Sequence, residues 1–302
     1  MFFFSLPVIR YTKGNSSKLN KKGENMKDVV VITGGGSGMG LAAAKCMPKE
    51  KIIVISGRTE AKLEKAVGEL KEMGYEAYGK ACDTSKRESV KALAEYCSTL
   101  GNIKNVINSA GLSPAMVNGE TLLRVNALGT VYVNEEFSKF MKEGSVIVDI
   151  SSNSSYSTPE FMLPKKAYPL AETDEELFMK KVLKRASFIK DPYQNAGLIY
   201  AISKNFVRWY ARKSAFDLGA KGIRVCSLSP GLIATDMGNK EKEHGGALIP
   251  ASCEKRMGKP EELGFAIATV ADERNGYLAA VDVLVDGGST TGVKEFKLAK
   301  LG

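Results

Sequence analysis

Runs such as Val29-Val30-Val31-Ile32 and Ile52-Ile53-Val54-Ile55 are apolar at successive positions, which predicts strands covered on both faces. Comparable runs at 103–108, 145–152, 223–228 and 281–285, with the aromatic run Tyr75-Glu76-Ala77-Tyr78-Gly79-Lys80, bring the expected strands to seven. The stretches between them carry helical periodicity: over 60–73, Leu63, Ala66, Val67 and Leu70 share one face. The segment joining 28–33 to 51–56 has room for a helix, so these two strands should run parallel. The alternation predicts an α/β protein, and 302 residues with 44% apolar content suffice for one full core.

The first strand runs into Gly34-Gly35-Gly36-Ser37-Gly38-Met39-Gly40 and then the helix-forming Leu41-Ala42-Ala43-Ala44-Lys45. Strand, glycine turn and helix form the unit that sets a pyrophosphate on a helix N-terminus. In it Gly34 serves the turn, Gly38 the approach of backbone amides to phosphate, and Gly40 the packing of helix on strand. Ser37 and Met39 complete that loop. At the end of the second strand, Gly57-Arg58 offers a cation where a carboxylate would favour an unphosphorylated ribose. Arg58 therefore points to NADP over NAD, against the plainer reading of a solvated loop arginine. After the third strand, Asp83 and Thr84 are candidates for the adenine end of the cofactor, Asp83 accepting from the adenine amine; Asp83 or Thr84 can also cap a helix beginning near Ser85, and the two readings are not exclusive.

The formal charge is +9, of which five bases and one acid fall in residues 1–25, leaving +5 for the remainder. Bases and acids are interleaved, which argues against a nucleic-acid partner. The five cysteines are scattered without C-x-x-C spacing, and His244 is the sole histidine, so neither a disulfide framework nor a metal site is expected. A reducing cytoplasm suits these thiols. The opening Met1-Phe2-Phe3-Phe4-Ser5-Leu6-Pro7-Val8-Ile9 is too short for a membrane span and lacks the basic start of a signal peptide. Residues 12–25 read as disordered. Lys21-Lys22-Gly23-Glu24-Asn25 is encodable by a purine-rich, ribosome-binding-like tract, so natural translation is expected to begin at Met26.

Further motifs follow in order: Asn108-Ser109-Ala110-Gly111, Ser152, Tyr200-Ala201-Ile202-Ser203-Lys204 and Pro230-Gly231. With the glycine loop they resemble the short-chain dehydrogenase/reductases across residues 27–290. The resemblance implies a single Rossmann-like domain, a doubly wound parallel seven-stranded sheet with a nicotinamide cofactor, NADP preferred and NAD possible, and a homodimer or homotetramer. It assigns Asn108, Ala110, Gly111, Pro230, Gly231, the Ile233 backbone and Thr235 to the cofactor. Asn126 it assigns to a backbone kink holding a water beside the lysine.

Two lengths depart from that family. The segment 108–126 is short, so its helix should be trimmed to a loop around Pro114. The gap 153–199 is long and should carry its own helix, with Thr173-Asp174-Glu175-Glu176 as capping box and a stripe through Phe178, Met179, Val182, Leu183, Ala186 and Ile189. That stripe can pack on its own core, form a subunit contact or wall off substrate. The combination resembles the bacterial 3α-hydroxysteroid dehydrogenase/carbonyl reductase branch. Residues 236–252, rich in charge, glycine and proline, read as a mobile substrate lid, and 291–302 as a surface tail.

Tyr200 and Lys204 stand one helical turn apart and share a face. A tyrosine with a pKa of about 10 is a poor acid/base near neutrality, and a neighbouring ammonium and an oxidised nicotinamide both favour its phenolate. The constellation implies Tyr200 as proton donor and acceptor, Ser152 on the substrate oxygen and Lys204 also on the nicotinamide ribose. The expected substrate is a secondary alcohol or ketone, such as a hydrophobic ring ketone of the steroid kind. A 3-oxoacyl-thioester reductase and a catalytically silent cofactor-binding regulator are the alternatives.

Overall fold

The computed structural model describes residues 26–298, without the side chains of 241–245 and 247. Residues 1–25, which the expected start at Met26 would leave untranslated, and the last four residues lie outside the description, as does the His244 side chain. Seven strands, β1 (Asp28–Thr33), β2 (Ile52–Gly57), β3 (Glu76–Ala81), β4 (Asn102–Asn108), β5 (Val146–Ile150), β6 (Arg224–Pro230) and β7 (Asp282–Val285), form one sheet in the order β3-β2-β1-β4-β5-β6-β7. Every pairing is parallel.

Helices cover both faces, which is why the central strands are apolar at successive positions. On one face α1 (Gly38–Cys46), α2 (Glu60–Glu72) and, later in the chain, α10 (Pro260–Ala271) bury Ala43, Leu63, Leu70 and Ile267 against β1, β2 and β5. On the other, α3 (Arg87–Leu100), α5 (Gly129–Ser138) and α8 (Pro192–Gly219) bury Val90, Leu93, Val131, Phe137 and Phe206. The chain reverses its winding between β1 and β4. Open parallel sheets bind ligands at the strand carboxyl ends beside such a reversal.

Between β4 and α5 the short segment is a loop through Pro114 followed by a five-residue helix, α4 (Gly119–Leu123), so the trimming is less complete than expected. A turn of π-helix, Arg124–Leu128, joins α4 to α5 and contains Asn126, the expected site of a kink.

The long gap holds α6 (Leu170–Thr173) and α7 (Glu175–Leu183). The expected capping box is corrected. Thr173 ends α6, and it is Asp174 that caps α7, accepting from the Leu177 amide at 3.0 Å. The stripe packs inward, with Phe178, Met179, Val182 and Ala186 buried. Phe178 lies 5.1 Å from the Phe206 ring, and Tyr168 meets Phe206 edge-on at 5.3 Å, so this segment buttresses α8.

Residues 236–252 are not an irregular loop. Asp236–Gly245 form α9, and Gly246–Leu248 a 3-10 turn. The C-terminal boundary also moves: Ser289–Lys294 form a short helix, α11, that packs against residue 251, where a Cβ on Gly292 would stand 2.1 Å from the Ala251 carbonyl oxygen.

Candidate active site

A continuous trough runs across the carboxyl ends of the strands, and its two ends are built differently. The end beside β1–β3 is a hollow of about 170 Å³ lined by Gly34, Ser37, Arg58, Lys62, Asp83 and Thr84, among others. Gly34 adopts φ of +67°, and a Cβ there would lie 2.8 Å from the Ser109 carbonyl oxygen, so the turn demands glycine. Gly40 brings α1 against β1, because any Cβ would lie 2.5 Å from the Gly34 carbonyl oxygen. Helix α1 begins at Gly38, inside the glycine loop, which aims the first-turn amides of Gly38, Met39 and Gly40 into the trough.

Arg58 lines the hollow as expected, and Lys62 joins it, a second cation the sequence reading missed. Lys62 stands in the first turn of α2, just past the loop that carries Arg58, and that nearness was a usable signal. Asp83 closes a local turn, its Oδ1 accepting from the Ser85 amide at 3.1 Å and from Ser85 Oγ at 2.7 Å, and α3 starts only at Arg87.

The other end is a cleft of about 310 Å³ holding Ser152, Tyr200 and Lys204 with Gly231, Ile233 and Thr235. Helix α8 places the tyrosine and lysine. Asp191 caps it by accepting from the Gln194 amide at 2.8 Å, Pro192 opens it, and Ser151 Oγ donates to the Lys204 carbonyl at 2.7 Å. This last bond ties α8 to the end of β5, where Ser152 follows. Lys204 Nζ donates to the Ile150 carbonyl at 3.0 Å and lies 6.0 Å from the Tyr200 ring centre. Ser152 Oγ accepts from the Ser154 amide at 3.2 Å. The same hydroxyl donates to Asn153 Oδ1 at 3.4 Å, a long bond that a substrate oxygen in the cleft could replace.

One expected site residue plays another part. Asn108 is buried inside the sheet and does not line the trough. Its Oδ1 accepts from Thr33 Oγ1 at 2.9 Å, its Nδ2 donates to Asp149 at 3.1 Å, and Thr33 Oγ1 accepts from the Ala110 amide at 3.1 Å. It holds the loop that carries Ala110 and Gly111, both of which do line the trough. Asn126 is also buried, in the π-turn where a kink was expected, and its side chain pins the neighbouring loop: Oδ1 accepts from the Leu112 amide at 2.9 Å and Nδ2 donates to the Leu112 carbonyl at 3.0 Å.

Thr235 Oγ1 accepts from the Gly238 amide at 3.1 Å at the start of α9, and its methyl group faces Gly38. Pro230 ends β6, and Gly231 has no room for a side chain beside Asp286.

The residues fit a nicotinamide dinucleotide. A Cβ on Gly111 would stand 3.3 Å from Lys204 Nζ and 3.4 Å from Asn126 Oδ1, so glycine keeps open the space in front of the lysine that the ribose would need. The hollow and the groove over the start of α1 share Gly34 and Ser37, and Gly111 lines both of these and the cleft, as one elongated ligand requires. Among the described residues no cluster of metal-ligating side chains occurs, and no helix is long and apolar enough to cross a membrane.

Comparison with known proteins agrees with this geometry. The family description "short chain dehydrogenase" matches residues 28–163, and "Enoyl-(Acyl carrier protein) reductase" matches residues 181–290. The short-chain dehydrogenase/reductase bsc3 of Alternaria brassicicola is 28% identical, over 87% of this chain and 96% of its own. The cyclohexanol dehydrogenase of an Acinetobacter strain is 24% identical, over 91% and 98%. A short-chain dehydrogenase from Burkholderia cenocepacia, solved in complex with NADP, superimposes with a TM-score of 0.69 at 20% identity, covering 87% of this chain and 97% of that one. The chain belongs to the short-chain dehydrogenase/reductase family and is an oxidoreductase of that family.

Proposed function

We propose that the chain interconverts a secondary alcohol and a ketone, with NADP(H) preferred over NAD(H) and an uncharged, largely hydrophobic substrate. The observation that carries this reading is the convergence of Ser152, Tyr200 and Lys204 on one cleft continuous with the glycine-loop trough. A bound nicotinamide supplies or accepts the hydride at its ring C4. The chain's own residues do the rest. The Ser152 hydroxyl exchanges its long bond to Asn153 for one donated to the substrate oxygen. In reduction Tyr200 gives that oxygen a proton, and in oxidation it removes one. Lys204, anchored on the Ile150 carbonyl, holds positive charge near the phenol and favours its ionised form.

Arg58 and Lys62 support NADP, because they put two cations at the adenine end, where a 2′-phosphate would lie. The cleft supports a neutral substrate. Met39, Leu112, Pro114, Tyr193, Met237 and Leu248 give it apolar walls, and Lys204 is the one charged side chain among its described lining residues. Among the described lining residues an acidic acyl carrier would find no basic cluster. The relative named for cyclohexanol agrees with a ring substrate.

The test is the change in NADPH and NADH absorbance with cyclohexanone, steroid ketones, small diketones and 3-oxoacyl thioesters. Faster oxidation of NADPH with a cyclic ketone is expected. Preference for NADH would remove the NADP assignment, and turnover confined to thioesters would replace the substrate class.

A further inference from the structure

Asp149 has no exposed surface and sits in β5 near the middle of the sheet. Its oxygens accept from two neutral amides, Asn108 Nδ2 at 3.1 Å and Asn134 Nδ2 at 2.9 Å. The site is close behind the chemistry. Ile150, the next residue, receives the Lys204 ammonium, and Ser151 donates to the Lys204 backbone. Helix α8 faces Asp149 with Lys204 and Tyr210, and β6 with Cys226; β4 and α5 face it with the amides of Asn108 and Asn134.

A buried carboxyl met by neutral donors can keep its charge or keep its proton. The two amides are not equivalent in what they allow. The Asn108 oxygen is fixed by Thr33, whereas Asn134 Oδ1 is buried with no partner. A half-turn of the Asn134 amide would present that oxygen to a protonated Asp149 and satisfy it. Burial pushes the Asp149 carboxyl up to about 7, against the downward pull of the two amides and of Lys204.

We propose that Asp149 is a positioning residue acting through Lys204: its charged form offsets the lysine and holds the proton on Tyr200, and its neutral form, received by a turned Asn134 amide, lets Tyr200 ionise more readily. The exchange is of one proton between Asp149 and solvent. The inference rests on the reading of Tyr200 as the acid/base group, and the measurement is chosen to separate the two.

The ionisation of Tyr200 can be read without turnover, as the tyrosinate absorbance that the NADP⁺-saturated full chain gains over its Tyr200→Phe variant on titration. Replacing Asp149 by Asn removes the buried charge and is expected to move that midpoint down by about half a pH unit, from charge interactions at intermediate dielectric. Affinity for NADP⁺, read by quenching of Trp209, should change less than about twofold, since the Asn108 bond survives with the remaining carbonyl oxygen. Asn134→Leu, which deprives Asp149 of one donor, should shift Tyr200 the same way by less.

In the unaltered chain, infrared spectra taken between about pH 5 and about pH 9 should contain a buried carboxylic acid band lost with a midpoint near neutrality. An unmoved or raised Tyr200 midpoint in Asp149→Asn overturns the proposal, as does absence of that band. Full turnover by Tyr200→Phe would instead remove the acid/base reading itself.

Discussion

The two ends of the trough are made of different material. The dinucleotide end is backbone: the glycine turn, the first amides of α1 and the 108–111 loop, held by bonds such as Thr33 to Asn108. The substrate end is side chain: Leu112 and Pro114 from one loop, Tyr193 from α8, Met237 and Leu248 from the segment after β6. A backbone site restricts residue type wherever a Cβ would collide, as at Gly34 and Gly40. A wall of side chains tolerates any residue of suitable size and polarity. One end can therefore be read as a motif and the other cannot.

Three changes separate the ends experimentally. Tyr200→Phe should lower kcat/KM by about 10²–10⁴-fold while leaving NADPH affinity unaltered, as stopped-flow rates and NADPH fluorescence would show. Loss of affinity to the same degree would mean the two ends are not separable. Phe178→Ala should cost about 3–5 kcal/mol in chemical denaturation, because the ring is fully buried against Phe206 behind α8. Cofactor affinity of the folded fraction should persist. The double change Arg58→Ala and Lys62→Ala should weaken NADPH binding by about tenfold or more and leave NADH nearly untouched, since it removes two charge-assisted contacts from the adenine end alone.

Stability should also register the buried carboxyl. A carboxyl held near 7 in the fold but at about 3.9 when unfolded binds its proton in the native state throughout that interval. The stability that goes with this protonated carboxyl is therefore fully present below about pH 4 and is lost as pH rises toward 7. Melting temperatures of the unaltered chain should fall over that window more steeply than those of Asp149→Asn.

The strands and the order of motifs were legible because runs such as Val29–Ile32, buried on both faces, have no other use in a chain of this size. Ser152, Tyr200 and Lys204 were legible by order, and the structure brings them to one cleft. What escaped depends on tertiary context. Helix α9 was hidden by its charge, since Asp236-Met237-Gly238-Asn239-Lys240 offers no apolar stripe to predict a helix. The choice of Asp174 over Thr173 as cap turned on where α6 ends, which one strand of letters cannot show. Asn108 was assigned to the cofactor for its motif, but the partners that claim it, Thr33 and Asp149, lie 75 and 41 residues away.

The central claim, that hydride passes between a nicotinamide and a carbinol carbon in the cleft beside Tyr200, is tested most directly by isotope transfer. With NADPH carrying deuterium at both C4 positions and cyclohexanone as acceptor, the account predicts cyclohexanol bearing one deuterium on its carbinol carbon. Cyclohexanol formed without the label would contradict it.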